Sequence, residues 1–293
     1  MPQNKAEEVK LIDPKCVALK IPAPVLTAHL LPEVLQELVR LLEGLDANEW
    51  QQPTVCAGWD VKDVALHLLG GEIGNLSRRR DGHSLGANIQ SWDELVVMIN
   101  RWNAGWVEQA RRMSSRMVID LLGYTGRQMA DYFAGLEMDT LGPAVSWAGS
   151  QAAPVWLDVA REYTERWHHQ QHIRDAVEKP GLTGPRYLAP ALAAFVHALP
   201  RAYAQAAAGE GTALVLRISG ESGGCWSLVR AAETWQLYAG AAQEPAAEVE
   251  VDEDTAWRLF THGIDPQAAL RRMTLSGNQE LGRQVLQMVA IIA

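Results

Sequence analysis

The hydrophobic period of the chain changes once, near residue 205, and this change limits the fold more than any other feature. Before it, apolar residues recur every three to four positions in four or five separate stretches, as amphipathic helices require, and no stretch alternates as a strand would. After it come short alternating runs separated by Gly, Glu and Pro. At 293 residues the chain exceeds one typical domain, for which about 150 residues is a soft prior. The expectation is an α+β chain of two domains. Residues 22–182 form an antiparallel four-helix bundle, and residues 186–293 form a smaller α+β domain with an antiparallel sheet.

Residues 26–45 carry Leu31, Val34, Leu35, Leu38, Leu41, Leu42 and Leu45 on one stripe, with Pro32 tolerable in the first turn. Pro53 and Gly58 then break the pattern, and Asp60, with Asp63 three residues on, caps a second helix starting at Val61. The stripe of Val61, Val64, Ala65, Leu68, Leu69, Ile73 and Leu76 leaves His67 to one side, about 150° from its mean direction. Gly70 and Gly71 cost about 1 kcal/mol each inside a helix. Close packing against another helix explains them, and so does room for a ligand beside His67. Ser91-Trp92-Asp93-Glu94 is a capping box for a helix carrying Trp102 and Trp106 at core spacing. A further helix holds Met117, Leu122, Met129 and Phe133, with Gly123 to Gly126 as the place for a bend. A long helix spans 154–178 and is ended by Pro180 and Gly181.

In the second half an Ala-rich helix is expected at 188–207, and four strands at 213–218, 226–229, 235–238 and 247–251. Helices follow at 253–261, 266–273 and 279–292. Gly220 to Gly224 lies between strands and lacks a following Lys-Ser/Thr, so it is a hairpin turn and not a phosphate loop.

Composition narrows the partners. A net charge of −9, with no basic run beyond Arg78-Arg79-Arg80, argues against nucleic acid. That run suits a helix C-terminus. Cys16, Cys56 and Cys225 are few, odd in number and far apart, which fits a reducing cytoplasm and neither a disulfide framework nor a Cys-based zinc site. The start of the chain has no apolar signal core and no run of eighteen apolar residues occurs, so a cytoplasmic location without a membrane partner is expected.

The densest metal-capable stretch is Glu162-Tyr163-Thr164-Glu165-Arg166-Trp167-His168-His169-Gln170-Gln171-His172, with three of the eight histidines. At about 100° per residue, Glu165, His168, His169 and His172 share one arc of the 154–178 helix. Trp156, Tyr163 and Trp167 point nearly opposite. A solvated polar face and a ligand site share this pattern. A Glu and a His four apart supply two metal ligands, and a usable zinc site needs a third from elsewhere.

His67 in Trp59-Asp60-Val61-Lys62-Asp63-Val64-Ala65-Leu66-His67, followed by Glu165-x-x-x-His169, resembles the DinB-like metal-binding bundle. Residues 25–290 more closely resemble the mycothiol-dependent maleylpyruvate isomerase family. Pro53-Thr54-x-Cys56-x-Gly58-Trp59, Asp254-Thr255-Ala256-Trp257-Arg258-Leu259 and Leu275-Ser276-Gly277-Asn278-x-x-Leu281-Gly282 support this. The resemblance implies that His67, Glu165 and His169 bind a divalent metal, usually zinc. Glu165 stands where many DinB-like proteins have a third His, which places the chain nearer the isomerase branch. His172 stands where relatives more often have Gln or Asp, so it is either a neighbour of the ligands or an alternative one.

Two His and one Glu with an open fourth position is a catalytic zinc set, and a thiol arriving there ionises near neutral pH. The implied cosubstrate is mycothiol. In the implied chemistry its thiolate adds to the cis double bond of maleylpyruvate, the bond rotates, and expulsion leaves the trans isomer. The small anionic electrophile needs a cation, and the resemblance implies an Arg of the C-terminal domain, for which Arg271 or Arg272 is expected. The expected protein is a monomer or homodimer. The other expectations are a thiol S-transferase using bacillithiol or glutathione, and a non-catalytic metal or small-molecule binding protein.

His29, His83, His197 and His262 have no partner at ligand spacing and are expected as surface or core residues. Trp59 either lines the pocket or packs. Cys56 is expected as a buried structural thiol.

Overall fold

The structure is a computed structural model that describes residues 19–83, 86 and 91–291. Cys16 and Ile292 lie outside the described residues. Among the described residues, five α-helices precede residue 182: α1 (Leu31–Glu43), α2 (Val61–Asn75), α3 (Trp92–Ala110), α4 (Ser115–Ala134) and α5 (Val155–Ala176). Helices α1 and α2 each pack on both α4 and α5, closing a ring of four, while α3 packs against α2. Local chemistry fixes the starts. Asp60 and Asp63 form a reciprocal capping box at α2, and Ser91 and Ser114 accept from the third residue of α3 and α4. Arg78, Arg79 and Arg80 fall in the π-helical turn Leu76–Arg80 that ends α2.

Several expectations are corrected. Helix α4 runs unbroken through Gly123 and Gly126. A Cβ on Gly126 would meet Leu35 Cδ1 at 2.6 Å, so that glycine serves close packing of α1 and not a bend. Trp106 is a core residue of sorts, donating from Nε1 to the Leu66 carbonyl at 2.7 Å, but Trp102 is 53% exposed. The Ala-rich segment is shorter than expected and divides into α6 (Pro185–Phe195), a 3-10 turn and α7 (Leu199–Ala202). The final helix is likewise only α10 (Gln279–Arg283) with a 3-10 turn after it.

The second half contains β1 (Ala213–Ser219), β2 (Gly224–Ala231), β3 (Thr234–Ala239), β4 (Ala247–Asp252), α8 (Glu253–Phe260), α9 (Pro266–Leu270) and β5 (Thr274–Gly277). The sheet order is β3-β2-β1-β4-β5. Every neighbouring pair is antiparallel except β1 and β4, which are parallel. The Gly220 to Gly224 segment is the β1–β2 hairpin, as expected. Ahead of α1, Lys20 exchanges two backbone hydrogen bonds with Ala239 at the end of β3, 3.0 and 2.8 Å long.

The apolar core is continuous between the halves. Trp156, Tyr163 and Trp167 of α5 join Leu188 and Leu192 of α6, Trp257 and Phe260 of α8, and Leu214, Leu216 and Val249 of the sheet. Trp167 and Trp257 meet edge to face, with ring centroids 5.3 Å apart. The aromatic side of α5 therefore faces the second half, and its polar side faces α1 and α2. No helix among the described residues is long and apolar enough to cross a membrane.

Candidate metal centre

The polar side of α5 is covered, which excludes a solvated face. His168 is 1% exposed, His172 3% and His169 9%. Glu165 keeps about a third of its side chain open to solvent. Helix α2 brings His67 against this side: His67 Nε2 lies 2.9 Å from Glu165 Oε1, and His169 Nε2 lies 3.3 Å from the same oxygen. The ligand atoms of His67, Glu165 and His169 all fall within 4.8 Å of one another. Zinc bonds of about 2.0–2.2 Å at tetrahedral angles separate N and O donors by about 3.4 Å. These residues therefore fit a metal ion with little movement.

The surroundings set the ring orientations. Trp59 tilts against His67 at 5.1 Å between centroids, and so lines the centre. A Cβ on Gly70, one turn along from His67, would meet Trp106 Cδ1 at 2.5 Å, whereas one on Gly71 meets nothing. Close helix packing accounts for the first glycine. The Nδ1 atom of His67 is buried without a hydrogen-bond partner among the described residues. Burial pushes the Glu165 carboxyl up, but the charge of His169 and the hydrogen bonds from His169 and His67 more than reverse it, holding it well below the usual carboxylate range. Burial pushes His169 down against the pull of Glu165.

Spacing along one helix gave no sign of how His168, His172 and Cys56 are arranged. His168 is turned away, with Nδ1 2.7 Å from the Thr164 carbonyl, and burial with the neighbouring His169 charge holds it at about 3. Cys56, expected as a buried structural thiol, is half-buried and approaches the cluster from the loop before α2. Its Sγ lies 3.3 Å from His172 Nδ1 and 4.0 Å from His169 Nδ1. Burial pushes this thiol up. The signal in the sequence was Cys56 itself, four residues ahead of the Asp60 cap that starts the His67 helix.

Arg258 is separated from the cluster by the Trp257 ring. It stacks over Trp257 at 4.3 Å, and the Trp257 ring lies 6.4 Å from His172. Two carboxylates, Asp175 and Asp254, hold it. Arg271 and Arg272 are exposed just after α9, which packs on α8, and neither has an ion pair among the described residues. Of the histidines set aside by the sequence, His197 is a core residue packed on Trp156.

Residues 31–174 match the family model described as the mycothiol maleylpyruvate isomerase N-terminal domain. Two solved structures are similar in fold, the mycothiol-dependent maleylpyruvate isomerase and a histidine-to-alanine mutant of it. Each is 13% identical with a TM-score of 0.49, over 79% of this chain and 86% of the other. No curated protein matches the chain by sequence.

Proposed function

Because residues 31–174 belong to the mycothiol maleylpyruvate isomerase N-terminal domain family, we propose that this chain is a cytoplasmic metal-dependent enzyme of that type. It uses a low-molecular-weight thiol, mycothiol, as the nucleophile toward a small anionic electrophile, in cis–trans isomerisation or S-transfer. The carrying observation is the convergence of three donors from two helices on a point that Glu165 leaves open to solvent. His67, Glu165 and His169 hold the divalent metal, zinc in the first instance. When bound, zinc ionises a thiol at the position those three residues leave free.

The chain's own residues do the rest. Trp59 fixes the His67 ring, and Glu165 presents one oxygen to both imidazoles. The bundle over 22–182 carries the donors, and the domain over 186–293 supplies the cation for the substrate. Arg271 and Arg272 are free of ion pairs among the described residues and so have charge to offer; Arg258 is already neutralised by two carboxylates.

Metal analysis of Cys56→Ser and of the Cys56→Ser/His67→Ala double variant tests the first step, with loss of bound metal expected in the double variant, where the neighbouring thiol cannot hold an ion in place of the three donors. Unchanged metal content overturns the donor set. Turnover of maleylpyruvate with mycothiol, compared with other thiols and electrophiles, tests the second. Silence of metal-loaded protein across that panel would leave a binding protein in place of an enzyme.

A further inference from the structure

His169 shows its two ring nitrogens to two different sets of donors. Nε2 faces Glu165 and, beyond it, His67, while Nδ1 faces the Cys56 thiol. On that second side, Cys56 Sγ, His169 Nδ1 and His172 Nδ1 form another group within 4.8 Å. We propose that Cys56, His169 and His172 form a second metal site, selective for a thiophilic divalent ion and sharing His169 with the first.

Three observations support it. The separations suit the chemistry: a Zn–S bond of about 2.3 Å and Zn–N bonds of about 2.0–2.1 Å at tetrahedral angles place S and N about 3.6 Å apart. The measured 3.3 and 4.0 Å lie on either side of that value. The two nitrogens of one imidazole diverge, so an ion on the Nδ1 side is out of reach of His67 and Glu165 at ordinary bond lengths. Cys56 is therefore not a fourth ligand of the first site. Finally, the donors differ in softness. Thiolate with two imidazoles favours zinc and its softer analogues, whereas carboxylate with two imidazoles accepts harder ions as well. Ligation displaces the thiol proton to solvent, and a neutral His169 serves one side at a time, so each chain takes one ion.

Cobalt(II) distinguishes the two sites, because a sulfur ligand adds a near-ultraviolet charge-transfer band. The full chain is stripped with chelator and titrated with Co²⁺, as wild type, His67→Ala, Glu165→Gln, Cys56→Ser and His172→Gln. The proposal expects one equivalent with the sulfur band in both first-site variants. It expects loss of the band in Cys56→Ser and His172→Gln, with Co²⁺ still bound through His67, Glu165 and His169. Co²⁺ bound by wild type with no sulfur band in wild type or in either first-site variant overturns the second site and leaves the first standing. A band that survives Cys56→Ser comes from another cysteine and also overturns it. A band present in wild type but lost in both folded first-site variants, as judged by circular dichroism, shows one merged site and overturns it too.

Discussion

Helices α2 and α5 meet twice, and the two meetings are chemically opposite. Along the first half of α5, Asp158 and Glu162 are matched by Arg79, Arg161 and Arg166, while Glu72 of α2 takes Arg166 and the Thr125 hydroxyl. Glu162 also accepts from Asn75 at 3.0 Å. Burial pushes its carboxyl up, and the charges of Arg161, Arg166 and Arg79 overcome this and hold it at about 2. A turn further on, the same two helices bring together His67, Glu165, His169 and His172. There the nitrogens His67 Nδ1, His168 Nε2 and His172 Nε2 are buried without partners among the described residues. Buried polar groups are almost always paired, so a cluster of unpaired ones calls for an explanation that a fully matched network does not. The first meeting is a closed structural joint, and the second has donors to spare.

The comparison breaks most sharply if His67→Ala, made in a Cys56→Ser background so that only the first donor set is read, is silent. Removing one of three ligands should cost about 100-fold or more in metal affinity, above the 10–100-fold typical of groups that only support ligands. Thermal stability should change far less, and metal titration with calorimetry reads both. At the closed joint the pattern should reverse. Glu162→Gln leaves the buried Arg166 and the half-buried Arg79 and Arg161 short of an anion and should destabilise the fold by about 3 kcal/mol with metal affinity unchanged. A loss below 1 kcal/mol in urea unfolding would show that the joint is not closed.

Glu72 sharpens the picture through pH. Burial, partly opposed by Arg166 and Thr125, raises its carboxyl from 4.5 to about 7. The folded state then binds more protons than the unfolded state between those values. The stability Glu72 contributes is full below pH 4.5 and lost as pH rises through 7. At about 1.4 kcal/mol per pH unit, the gap corresponds to about 3 kcal/mol. Urea unfolding at pH 5 and pH 8 should show this fall in wild type and not in Glu72→Gln; parallel curves would refute it.

The smallest test is at the glycines between the two meetings. Gly70→Ala forces a Cβ onto Trp106 and should cost about 1–3 kcal/mol. Gly71→Ala has free space and should stabilise by about 0.5–1 kcal/mol, read as opposite shifts in melting temperature.

How much of this the sequence disclosed depended on how local each feature is. The Asp60 cap, the start of α2 and the Glu165–His169 pair are set within four residues, and all three were legible. Periodicity located the polar side of α5 but gave no indication of what covers it, because the arginine and histidine partners come from α2 and the turn after it, some 80 to 100 positions away. The nearness of Cys56 to the cluster was hidden for the same reason: its partner His172 is 116 positions on. Trp102 has core spacing, yet among the described residues α3 packs chiefly against α2, and one main neighbour covers one strip of a helix. Strand β5 pairs over only four residues, too short for alternation to register.

The contact between Lys20 and Ala239 bears on solubility. Strand β3 is an outer strand, and outer strands offer bare amides and carbonyls to any chain that can align with them. By occupying both backbone groups of Ala239, the leading arm of the molecule acts as a doorstop at the sheet's rim. Trimming the chain to residue 25 would leave the helices intact and free that rim, turning a capped sheet edge into a template for sticky growth on storage or heating.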